Sequence, residues 1–170
     1  PLNGILIPQF MLSGHVSRGV ITTIVPDSVV TRFERENAMA LEYINPEGMH
    51  QNPVFSQGIV VPSGARILHV GGQNAVDAEG VIVGKGDIGK QTEQALANML
   101  MVIDAAGGKL ENLIKVTLVI QQGIDIRPGF AEWLKVWGPR LNPPTVTALM
   151  VVGLANPDYL IEIEAQVLLS

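Results

Sequence analysis

The chain has 170 residues, with 11 basic and 16 acidic side chains, a net charge of −5 and no cysteine. Charged residues make up 16% of it and hydrophobic residues 47%, whereas ordinary globular domains carry about 25% charge. That composition excludes a disordered chain, disulfides, thiol catalysis and cysteine-held metals, and gives an acidic protein poorly suited to nucleic acid. A chain of this length buries about 70% of its unfolded surface around one core. Its surplus of apolar residues predicts that further surface is spent on contacts between subunits.

The three histidines, His15, His50 and His69, are too far apart for a metal-ligand pattern, so no metal site is expected. No stretch reaches the ~18 consecutive apolar residues of a membrane span. Residues 4–12 are apolar but interrupted by Pro8, with no basic segment before them, and are not read as a leader. The expected setting is reducing and cytoplasmic.

Residues 1–44 carry weak patterns and are read as an N-terminal extension, with 45–170 as the main domain. Within the extension, residues 20–25 are β-prone and residues 31–39 fit a short helical turn. Its apolar content predicts that the extension packs against the rest of the assembly. Residues 58–61 and 66–70 flank Pro62-Ser63-Gly64-Ala65, which predicts a β-hairpin. Gly71-Gly72 permits close backbone approach, and residues 80–83 fit another short strand. Asp87 is a good N-cap for a long helix whose apolar face is Ile88, Thr92, Ala95, Leu96, Met99, Val102, Ile103 and Ala106, ended by Gly107-Gly108.

Residues 113–120 form a β-branched strand with Lys115 and Thr117 on one face and Ile114, Val116, Leu118 and Ile120 on the other. Pro128 opens a second helix with Phe130, Trp133, Leu134 and Trp137 as its stripe, ended by Gly138-Pro139. Two strands follow, at 145–152 and 159–168. In the last, Ile161, Ile163, Ala165 and Val167 alternate with Glu162, Glu164 and Gln166. Carboxylates on a central strand require a face that is wet, paired or chemically used. The order of elements predicts an α+β, two-layer fold with two helices on one face of a mixed sheet.

Several segments stand in a specific order: Pro53-Val54-Phe55-Ser56-Gln57-Gly58, Val70-Gly71-Gly72-Gln73, Gln91-Thr92-Glu93-Gln94-Ala95-Leu96-Ala97-Asn98, Ala105-Ala106-Gly107-Gly108, Ile114-Lys115-Val116-Thr117 and Ile161-Glu162-Ile163-Glu164-Ala165. From Asn52 onward the chain thereby resembles the Rid family, the YjgF-like reactive-intermediate deaminases also called L-PSP endoribonucleases. The resemblance implies a chorismate-mutase-like fold, a homotrimer whose sheets line its interior, and small-molecule sites in clefts between subunits. It also implies hydrolysis of enamines or imines to a carbonyl compound and ammonia, without metal or cofactor.

The archetypal site clamps a substrate carboxylate with an arginine in the penultimate strand, where bidentate pairing favours that side chain. By motif position that arginine is Thr145 here. The family's tyrosine is Phe55, its serine before Gly72 is Gly71, and a polar residue at the start of the second helix is Phe130. The glutamate that orients the attacking water, with a backbone carbonyl near Thr147, is retained as Glu162. Thus Glu162 is the candidate base, with Thr145, Thr147, Gly71, Gly72, Phe55 and Phe130 as substrate-binding candidates. For each, an ordinary structural role is the alternative. Glu164 pairs with Lys115 on the structural reading, and Arg140 is the nearest basic side chain to Thr145. A catalytic Rid-like protein and a non-catalytic binder on the same fold both remain open, and ribonuclease activity is disfavoured by charge.

Overall fold

The computed structural model describes residues 40–169. The readings at residues 20–25 and 31–39, and the packing of the extension before residue 40, lie outside the described residues. Strand β1 (Glu42–Ile44) pairs antiparallel with β2 (Gly58–Val60) as a two-stranded ribbon. Then come β3 (Arg66–Gln73), α1 (Ile88–Ala105), a 3-10 turn (Leu110–Asn112), β4 (Leu113–Gln121), α2 (Arg127–Trp137), β5 (Thr145–Val151) and β6 (Ile161–Leu169). The four long strands form one mixed sheet in the order β3-β6-β4-β5. β4 and β5 are parallel, joined by a crossover through α2, and the other pairings are antiparallel.

The expected hairpin between residues 58–61 and 66–70 does not form. Pro62–Ala65 does turn, with the Ala65 N–H donating to the Pro62 carbonyl at 3.3 Å, but β2 pairs with β1 and β3 pairs with β6. β6 offers β3 a matching apolar face, placing Leu68 opposite Val167 and Val70 opposite Ala165. The short strand expected at 80–83 reduces to a single bridge, Val76 to Ile82. Asp77 holds that loop, its carboxylate accepting from the Glu79 and Val81 N–H groups.

The core lies between the sheet and the helices. Ile161, Ile163, Ala165 and Val167 of β6 are buried against Ala95, Leu96, Met99 and Ile103 of α1. Each large aliphatic side chain so buried contributes about 1.5–3 kcal/mol. Asp87 caps α1 as its sequence predicts, accepting from the Lys90 N–H at 3.1 Å. At the other end, Gly108 N–H donates to Ile103 O at 2.9 Å and Gly107 N–H to Asp104 O at 2.8 Å, a Schellman closure with Gly107 at φ +72°.

The stripe on α2 is only half used. Trp133 and Trp137 stack with ring centroids 5.5 Å apart and Trp137 is buried, whereas Phe130 and Leu134 are 44% and 45% exposed. The two helices approach closely at Gly129, where a Cβ would stand 2.5 Å from Thr92 Oγ1. At the start of α2, the Arg127 guanidinium forks onto Asp125 and holds its carboxyl down to about 2.

Two outcomes follow for stability. Gly107→Ala forces a left-handed alanine and lowers unfolding free energy by about 1 kcal/mol, and Gly129→Ala lowers it by about 1–3 kcal/mol through the Thr92 clash, both read from urea midpoints. In an NMR titration Asp125 loses its charge near pH 2, and Arg127→Ala moves that midpoint up toward the ordinary carboxylate range. Because the folded value is the lower one, whatever the pair adds to stability is present above the ordinary carboxylate range and fades as pH falls toward 2.

Candidate functional site

Strand alternation puts Glu162, Glu164 and Gln166 on the face of the sheet opposite the helices. Glu162 is half-buried and aligned with Val119 of β4. Its Oε2 accepts from Asn74 Nδ2 at 3.2 Å, and the same amide donates to the Ile161 carbonyl at 3.2 Å. Asn74 is itself fixed from α1: Asn98 Nδ2 donates to the Asn74 and Val76 carbonyls, and Gln94 Nε2 donates to Asn98 Oδ1 at 2.9 Å. A bulge in β3 between Val70 and Gln73 brings Gly72 beneath the carboxylate, where a Cβ would overlap Glu162 Oε1.

The segment leading into β6 is anchored just as firmly. The fully buried Gln91 accepts from the Leu160 N–H at 2.9 Å and donates to the Asp158 carbonyl at 2.8 Å. Gln121, two residues along β4 from Val119, has a buried side-chain oxygen with no donor among the described residues. The sequence singled out none of Asn74, Asn98 and Gln121 as site residues. Asn98 and Gln91 stand in the family-like helix segment 91–98, and Asn74 directly follows Gly71-Gly72-Gln73, which are the signals the sequence offers for them.

The remaining candidates divide between the two faces. Gly71 shares Glu162's face and lines a polar concavity of about 400 Å³ with His69, Lys115, Thr117, Glu164 and Gln166. Lys115 and Glu164 both line it, but no ion pair joins them among the described residues. Thr145 and Thr147 are on this face too, aligned with Lys115 and Thr117. They lie two strands from β6, about 10 Å at the usual spacing. The Thr145 hydroxyl is used locally, donating to the Ile114 carbonyl at 3.0 Å. Phe55 and Phe130 are on the helix side and line a separate apolar cavity. Ser56 sets Phe55 there, donating through its hydroxyl to Pro143 O at 2.6 Å and through its N–H to Pro144 O at 3.0 Å.

Arg140 is engaged at the C-terminus of α2, where its guanidinium donates to the Val136 and Trp137 carbonyls. It serves as a helix cap there. No group of three or more His, Asp or Glu among the described residues is arranged to hold a metal ion, and none of the described helices is long and apolar enough to cross a membrane.

A two-layer α+β domain with a glutamate displayed on the open face of its central strand defines a recognisable class. The sequence model of the family described as endoribonuclease L-PSP matches residues 49–169, and the chain belongs to that family, the Rid or YjgF-like proteins. A RutC family protein of Pyrococcus horikoshii is 33% identical over 111 residues, 65% of this chain and 83% of that protein. A Rid family protein from Yersinia pestis, YyfB, described as of unknown function, superposes with a TM-score of 0.68 at 32% identity over 77% of this chain and all of its own. The E. coli protein TdcF, crystallised with bound serine, matches at 25% identity and TM-score 0.56 over 78% of this chain and 95% of its own.

The glycine pair separates two effects. Gly72→Ala displaces the Glu162 carboxylate from Asn74, whereas Gly71→Ala meets open space. Carboxyl-carbon NMR of Glu162 is expected to shift in the first variant and to stay at the parent position in the second.

Proposed function

We propose that this Rid-like protein hydrolyses a small enamine or imine, as a homotrimer, at a site centred on Glu162. The observation that carries the reading is the Glu162 carboxylate held over Gly72 by Asn74 on the exposed side of the sheet. Candidates lying two strands apart on one chain fit a site completed by a neighbouring subunit. Exposed Leu149 and Ile67 on that same face support such contacts.

In this mechanism an enamine first tautomerises to the imine. Water attacks the imine carbon while Glu162 accepts its proton, which then passes to nitrogen. The carbinolamine collapses as Glu162 takes the hydroxyl proton and returns it to the departing nitrogen, which leaves as ammonia from the carbonyl compound, with Glu162 again a carboxylate. The substrate lacks an α-carboxylate, because Thr145 stands where the clamp is placed by family pattern and Arg140 is committed to α2. The serine held by TdcF supports small-molecule binding by this fold. A cytoplasmic location, where such intermediates form, is part of the same reading.

The second reading is a non-catalytic small-molecule binder, favoured by the committed Thr145 hydroxyl and the helix-capping role of Arg140. Ammonia release from enamines generated in situ, with and without an α-carboxylate, separates the two. Turnover is expected on the uncharged set, with Glu162→Gln slower by about 10²–10⁴-fold. Equal rates in parent and Glu162→Gln sink the mechanism, and binding without ammonia release establishes the second reading.

A further inference from the structure

A cavity of about 140 Å³ lies between the sheet and the two helices. Its floor includes Leu118, Val146 and Ile163, and its roof Leu96, Phe130 and Trp133. These floor residues point to the helix side of the sheet, so the sheet itself separates the cavity from Glu162. Its polar side chain, Thr92, already donates its hydroxyl to the Ile88 carbonyl at 2.7 Å. A buried water needs two to four polar partners, so this space stays dry. It is nevertheless reachable: Phe130 and Ile126, which line it, are each 44% exposed.

We infer that this cavity is a second ligand site, taking a neutral apolar molecule of benzene or toluene size. A dry cavity of comparable volume, about 150 Å³, engineered into an unrelated protein binds benzene and xenon. Charge is excluded, because a carboxylate or ammonium there has nothing to replace its hydration. The ligand class therefore differs from the polar imine proposed for the Glu162 face, and the two sites do not share a wall-forming side chain. An occupant touches Ile161 and Ile163, which flank Glu162 in β6.

The test uses the whole chain with toluene as probe and benzoate as its charged counterpart. Toluene is expected to raise Tm saturably, by about 2–4 °C at roughly five times its Kd, and benzoate to leave it unchanged. Amide NMR shifts with toluene are expected at Leu96, Phe130 and Trp133. Leu118→Phe fills the cavity and is expected to abolish both responses, with Val146→Phe as a second filler should the first fail to fold. Glu162→Gln is expected to retain them in full, so this site and the hydrolytic one fail separately. No Tm rise with toluene in the parent, an equal rise in a folded filler variant, or NMR shifts confined to the Glu162 face overturns the proposal.

Discussion

The two-sidedness of β6 is the constraint from which the rest of the molecule follows. Its odd-numbered residues, Ile161 to Val167, are buried under α1, and that burial fixes which way the even-numbered ones point. A one-residue slip would send Glu162 and Glu164 into the core and expose four apolar side chains. The cost of burying carboxylates there is prohibitive, so core packing and site geometry enforce a single register. The same choice fits β3 leaving its sequence neighbour β2, since β6 presents apolar partners to Leu68 and Val70.

Position along β6 is fixed by polar side chains of α1. Gln91 satisfies the backbone on the approach to the strand, and the relay from Gln94 through Asn98 and Asn74 ends on Glu162. Buried amides of this kind are stabilising only when every donor and acceptor is matched. Gln91 meets that condition with three backbone partners. Helix α1 thus does two jobs with two faces: its aliphatic stripe builds the core, and its amides hold β6 in place.

Local chemistry was readable from the sequence where the cause is local. The Asp87 cap, the Gly107-Gly108 stop, the Gly138 terminator and the alternation of β6 depend on neighbouring residues, and each stands where its pattern placed it. The strand partner of β3 was not readable, because a turn signal at Pro62–Ala65 says that the chain reverses and not which strand it then meets. The exposure of Phe130 and Leu134 was hidden for a similar reason. Helical spacing identifies a stripe, but the Gly129–Thr92 approach that seats α2 on α1 is a contact between residues 37 positions apart. For the site, alternation placed Glu162 on the open face, whereas its partner Asn74 arrives through a bulge in β3 that no periodicity announces.

The position of β6 between β3 and β4 also bears on how the chain reaches this state. During synthesis the two strands that will flank it emerge earlier; β4 can pair with β5 on its far side, but β3 has no strand partner in the sheet, and β4 lacks its second one, until residues 161–169 arrive. Each meanwhile carries an unpaired row of backbone groups and an apolar face, the combination that recruits strands from other molecules. Closure is then long-range and late, which belongs with slow folding among domains of similar size. Nascent copies made at high density are therefore at their most aggregation-prone just before the strand that carries Glu162 is complete.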